Sequence, residues 1–160
     1  MYQTMRKLIA IIESAGSRTV GGATVEKFYH GTPMYRWNKI ETQGLIPSSA
    51  SHPGKTPGVY LTHQIGVAIH YAEMCFGEDD PDVVWAILEV DASALDPARL
   101  VADGGQEAEL NAEDIMARGY TLEQIWAGDF PWEVSLEETG QAIYQGAIPA
   151  SAIRLLKTVP

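Results

Sequence analysis

The run Asp82 to Val90, DVVWAILEV, constrains the fold of this chain more than any other segment. It has the β-branched and apolar density of a buried strand, with the acidic turn GEDDP before it and Asp91 after it. A strand of that kind needs cover, so it belongs at the centre of a sheet and the rest of the chain must supply the layers around it.

The flanking segments are short and of both kinds. Met5, Leu8, Ile9 and Ile12 recur at helical spacing, which predicts an amphipathic packing helix over 2–15, and Gly16 to Gly22 breaks it. Ala23 to His30 reads as the first core strand. Ile40 to Leu45 reads as a short helix ended by Gly44, and Pro47 to Pro57 as a Ser-, Pro- and Gly-rich loop that suits a lid or a connection. Val59 to Thr62 is strand-like, and Ile65 to Cys75 is a helix that starts after a Thr62 cap. Asn111 to Arg118 and Leu122 to Ala127 are helical, the second capped by Thr121 with Gln124 at the third position. Trp126, Phe130 and Trp132 read as anchors that tie a loop to the core. Gln141 to Ile148 is a strand, Pro149 to Ala152 a turn, and Ile153 to Thr158 the last strand.

Strands interleaved with helices also occur in doubly wound sheets, but neither GxGxxG nor GxxxxGKT is present to hold a phosphate at a strand–helix turn. The expected class is therefore α+β. A 160-residue chain is long enough for one core. We divide it into 1–22, an N-terminal helix and linker, and a single domain over 23–160.

Cys75 has no second cysteine to pair with, and one cysteine with four scattered histidines gives no metal-ligand spacing. The expectation is no metal, no disulfide and a cytoplasmic setting. The stretch MRKLIAII at 5–12 has too short an apolar part for a secretory signal, and nothing approaches the ~20 apolar residues of a membrane span. The net charge of −10 disfavours phosphate backbones as partners. The charge is uneven: Asp103 to Glu138 holds ten acids against Arg118 alone, whereas 27–55 holds Lys27, Arg36, Lys39 and Lys55 against Glu41. That basic strip can hold a dinucleotide.

Three segments carry the chemistry: Phe28-Tyr29-His30-Gly31-Thr32, then Gly58-Val59-Tyr60-Leu61-Thr62, then Ala68-Ile69-His70-Tyr71-Ala72. A histidine followed by glycine puts an imidazole beside backbone that a ligand can approach. Two tyrosines follow, eleven residues apart, on a strand-like and a helix-like run. Nicotinamide is a flat, electron-poor ring with one amide, so its pocket needs aromatic faces and backbone groups that read the amide. Taken singly, His30 reads as a structural histidine and the tyrosines as core; the order and spacing of the set are what point to a site. His63 and His70 read as surface or core residues.

In order and spacing the set resembles the ADP-ribosyltransferase superfamily, on its histidine–tyrosine branch of diphtheria toxin and poly(ADP-ribose) polymerases. The resemblance covers roughly residues 25–160. It implies a split, mostly antiparallel β core with flanking helices that clasps NAD, which is the substrate. His30 would bond the adenosine-side ribose, the backbone of Gly31 would bond the nicotinamide amide, Thr32 would fill the Ser/Thr position that follows, and Tyr60 and Tyr71 would supply the ring faces. Ala68 stands where many relatives carry a serine that helps to hold the amide.

The last strand departs from the family pattern. Aligned on GAIP, the usual catalytic glutamate is Gln141, whose amide accepts a hydrogen bond but supplies neither negative charge nor a base. The resemblance thus assigns catalysis to His30, Tyr60, Gln141 and the nearby Glu138, with Glu137 as another base, and NAD contact to His30, Gly31, Thr32, Tyr60 and Tyr71. Its implied activity is mono-ADP-ribosylation of a macromolecular acceptor, protein rather than nucleic acid given the acidity, without polymer formation. Bacterial and phage relatives act as toxins, defence or counter-defence factors, so a cognate inhibitor or antitoxin is a partner that the resemblance also implies. Three alternatives stand beside it: a binding module for NAD or ADP-ribose that does no chemistry and acts through protein interaction, an interaction module whose tyrosines are simply core, and an RNA 2′-phosphotransferase, which needs arginines that 58–72 lack.

Overall fold

In a computed structural model, which describes residues 18–20, 23–47, 56–76 and 82–160, the apolar run forms a central strand. Strand β1 (Arg18–Val20) and β2 (Ala23–Val25) make a hairpin, β3 is Lys27–Pro33, helix α1 is Trp37–Gln43, β4 is Val59–Leu61 and α2 is Ile65–Phe76. Then come β5 (Trp85–Asp91) and β6 (Leu100–Ala102), the helices α3 (Gln106–Leu110), α4 (Ala112–Ala117), α5 (Leu122–Ala127) and α6 (Trp132–Thr139), and finally β7 (Ala142–Tyr144) and β8 (Ile153–Val159).

Strand β5 lies between β3 and β8 in one three-stranded sheet, β7 lies between β4 and β6 in a second, and every pair is antiparallel. The class is α+β with an antiparallel β core, as expected. The two sheets meet where Tyr29 of β3 bridges Thr62 just after β4, and a second bridge ties the segment after α1 to the one between β7 and β8. Tyr29 and Thr62 exchange backbone bonds of 2.7 and 3.1 Å, and Leu45 and Ile148 exchange two of 2.9 Å.

Alternation along β3 and β5 decides what lies between the layers. Phe28, Ala86, Leu88 and Val90 face the main core, which also takes Val59 and Leu61 of β4, Ala142 and Tyr144 of β7, and Trp132 and Leu136 of α6. Phe28 meets Trp132 edge-on, with ring centroids 6.2 Å apart. Burying each large apolar side chain contributes about 1.5–3 kcal/mol, so this cluster outweighs the surface ion pairs. A smaller cluster of Ala102, Ala108, Ile115, Ile125, Phe130 and Val134 joins α3 to α6. On the outer face of the first sheet, Glu89 accepts two bonds from Arg154 and pairs with Lys27. Arg154 is largely exposed, so water screens that pair.

Several expectations need correction. Ala23 to His30 is not one strand: the chain turns at Glu26, whose carbonyl takes the Ala92 N–H, and β3 then runs on to Pro33, placing His30-Gly31-Thr32 inside a strand rather than at its end. Helix α1 starts at Trp37, before Ile40, and Gly44 ends it with φ of 80°. Gln141 to Ile148 holds only a three-residue strand, because Gln145 turns to bond Arg99 and Ile148 joins Leu45 instead. Phe130 and Trp132 are buried anchors, but Trp126 is 60% exposed. Gln64, not Thr62, flanks helix α2: the Thr62 hydroxyl accepts the Gln64 N–H, and the Gln64 carbonyl takes the first helical bonds. The capping box of Thr121 and Gln124 is present as expected. The helix expected over 2–15, most of the Pro47–Pro57 loop and the GEDDP turn lie outside the described residues. Among the described residues no helix is long and apolar enough to cross a membrane.

Helix α2 seats on β3 at Gly31. A Cβ there would stand 2.2 Å from the Ala68 carbonyl oxygen and 2.8 Å from the Ala72 Cβ, so only glycine allows this approach. Gly31→Ala should force the helix off the strand and destabilise the protein by about 3 kcal/mol, read from the midpoint of urea unfolding. An unchanged midpoint would show that α2 is not held there.

Candidate functional site

Strand β3 presents His30 on the same face as Phe28 and Thr32. Its Nδ1 lies 2.8 Å from the backbone oxygen of Tyr60. A carbonyl only accepts, so Nδ1 carries the proton and donates; in the neutral ring Nε2 is then an unprotonated acceptor. Burial holds the imidazole below its ordinary pKa of 6.5, the bond to Tyr60 opposes that, and the charge of Arg36 adds to it. The chain thus keeps His30 neutral, with one nitrogen committed and the other able to accept a hydrogen bond from a ligand hydroxyl.

Gly31 has two surroundings. Its Cα faces helix α2, so the glycine is there for helix packing and not to open that face to a ligand. Its peptide groups point elsewhere. Tyr29 bonds Thr62 with both its N–H and its C=O, and successive residues alternate in an antiparallel ladder, so those of Gly31 point to the same edge as those of Tyr29. That edge lies beyond the end of the β3–β4 bridge and offers one donor and one acceptor side by side, the pair a carboxamide needs.

Tyr60 alternates with the core residues Val59 and Leu61 and is half-buried; its hydroxyl donates to the Thr56 carbonyl at 3.2 Å. Thr32 is 2% exposed and belongs to the core. Ala68 is buried where α2 crosses Gly31.

Tyr71, on α2, reaches the start of β7. Its phenol is in hydrogen-bond contact with Glu107 and Gln141; burial first, then the Glu107 carboxylate, raise its pKa well above the ordinary tyrosine range. Gln141 is 4% exposed, and its Nε2 donates to Asp103 Oδ2 at 3.4 Å. Asp103 is itself 6% exposed, and its Oδ1 accepts the Gly105 N–H at 3.1 Å. Ser135, fully buried on α6, ties the two together: its hydroxyl accepts the Asp103 N–H at 3.0 Å and donates to the Gln141 carbonyl at 2.6 Å. Thr139 donates to the Ser135 carbonyl at 2.8 Å and accepts the Gln141 N–H at 3.2 Å.

The structure therefore brings together His30 with Tyr60, and Tyr71 with Gln141. Backbone rungs link the two pairs, because Thr62 bridges Tyr29 next to His30 and Leu61 pairs with Ala142 next to Gln141. Glu138 lies on α6 and, with Glu137, ion-pairs to Arg118. Of the basic strip, Lys27 is engaged with Glu89, Lys39 is exposed, Arg36 is the cation whose field reaches His30, and Lys55 lies outside the described residues. His70 is exposed with its ring edge-on to Tyr71, and His63 is half-buried. Asp103, Glu107 and Ser135 escaped the sequence reading. They sit in an acidic stretch whose composition alone does not distinguish a buried carboxylate from a solvated one.

No protein-family model matches the chain, and no curated protein matches it.

The depressed pKa of His30 makes stability depend on pH. The native state binds this proton less readily than the unfolded chain, so the stabilisation is complete above about pH 6.5 and is lost as pH falls through the folded pKa. His63, also lowered by burial, acts in the same direction. The urea midpoint should fall between pH 7 and 5, and His30→Asn should remove part of that slope; an equal slope in both proteins would mean that His30 titrates normally.

Proposed function

We propose that the chain is an NAD-dependent mono-ADP-ribosyltransferase of the histidine–tyrosine kind. The observation that carries this reading is His30, held neutral with Nδ1 on the Tyr60 carbonyl, beside the peptide edge of Gly31. Nε2 accepts a ribose hydroxyl, the Gly31 N–H and C=O bond the nicotinamide amide, and Tyr60 and Tyr71 bracket the ring. The split antiparallel core and the contact of Tyr71 with Gln141 are further support.

In the reaction the bond between the ribose C1′ and the nicotinamide nitrogen breaks, and its electron pair goes to the ring, which leaves uncharged. A nucleophile on the acceptor forms the new bond to C1′ and gives up its proton to a carboxylate or to solvent. The Gln141 amide oxygen accepts the ribose 2′-hydroxyl and orients the sugar. The acceptor is a protein, since the acidic surface repels nucleic acid. A cytoplasmic setting and a cognate inhibitor belong to this reading.

One observation favours a second reading. Gln141 itself brings no charge to an oxocarbenium-like transition state, which suits a domain that binds NAD or ADP-ribose without cleaving it. Calorimetry with NAD and an assay for released nicotinamide separate the two. His30→Ala should abolish NAD binding, and Gln141→Glu should raise nicotinamide release by about tenfold or more. Unchanged NAD affinity in His30→Ala would overturn the pocket, and binding without release in the unaltered protein would favour the second reading.

A further inference from the structure

We infer that Asp103 and Glu107 are positioning residues that hold the Gln141 amide with its nitrogen inward and its oxygen toward the substrate, and that they supply from behind it the negative charge that position 141 lacks. This rests on the reading above and adds two residues to that site.

The orientation follows from what each atom can do. The Asp103 carboxylate only accepts, so the Gln141 atom 3.4 Å from it is the amide nitrogen. Tyr71 also touches Gln141. Tyr71 in turn donates to Glu107. With the amide nitrogen on Asp103, Oε1 lies on the opposite branch of the planar amide and is the atom left to accept a hydroxyl.

The rest of the construction fixes this geometry. Ser135 joins the backbones of Asp103 and Gln141, and the Gly105 N–H holds the second oxygen of Asp103. With its nitrogen bonded to carboxylate, the Gln141 amide is polarised and its oxygen becomes the better acceptor. The two carboxylates also favour positive charge on the ribose as the bond to nicotinamide breaks.

The test uses the full chain with water as acceptor, so that NAD and water give nicotinamide, ADP-ribose and a proton. Nicotinamide release and calorimetric NAD affinity are measured for Glu107→Gln and Asp103→Asn, each in the unaltered background and with Gln141→Glu. Each single variant should lower kcat by about 10–100-fold while the NAD Kd stays within about threefold, because the charge acts on the transition state. With Gln141→Glu present, the same changes should cost no more than about threefold, since the carboxylate then stands at 141; a merely structural role would not be relieved in this way. If Asp103→Asn fails to fold, the half-exposed Glu107 still decides. Unchanged kcat, or equal losses in both backgrounds, would overturn the inference alone. NAD binding without release in the unaltered protein would also overturn it while leaving the pocket in place, and no NAD binding at all would remove the parent reading.

Discussion

The fold turns on the junction where β3 touches both β4 and α2. Tyr29 and Thr62 exchange two backbone bonds, and one residue later His30 bonds the Tyr60 carbonyl, so β4 is fastened to β3 by three consecutive ties. Immediately beyond, Gly31 lets α2 come closer to the strand than any side chain permits. These contacts fix three elements against one another within a few residues. Most of the candidate site depends on them, because His30, Tyr60 and Tyr71 come from the strand, the strand and the helix so joined.

The electrostatics follow the same geometry. Burial alone would leave His30 neutral but free to choose its tautomer; the Tyr60 carbonyl makes the choice and leaves Nε2 as an acceptor. Midway along α2, Tyr71 lies between a carboxylate and an amide, and its phenol stays protonated far beyond neutral pH. In the proposed reading the site is thus assembled from neutral groups that would bond hydroxyls and an amide, with carboxylates placed behind them. That combination suits a substrate whose reacting sugar becomes more positive during bond cleavage.

How much of this was legible depended on the length and period of each segment. The apolar density of 82–90 announced β5, and the Thr121 cap announced α5, since both are local signals. Strand β6 has three residues and no period to read. Helix α6 buries Ser135 and Thr139 beside Trp132, Val134 and Leu136, so its apolar stripe is diluted by the very hydroxyls that clamp Gln141. The motif residues His30, Tyr60 and Tyr71 could be singled out because their order is informative. Asp103 and Glu107 could not, because their role comes from a long-range approach of β6, α3 and β7. Gly31 was singled out for the approach of a ligand, whereas its missing side chain makes room for a helix.

The central claim is a neutral His30 whose free Nε2 receives a ribose hydroxyl. Nitrogen NMR of the histidine side chains, recorded at neutral pH with and without NAD, tests it most directly. The account predicts a His30 ring protonated on Nδ1 alone, with an Nε2 resonance that moves when NAD is added. A ring protonated on Nε2, or a His30 signal that NAD leaves in place, would contradict it.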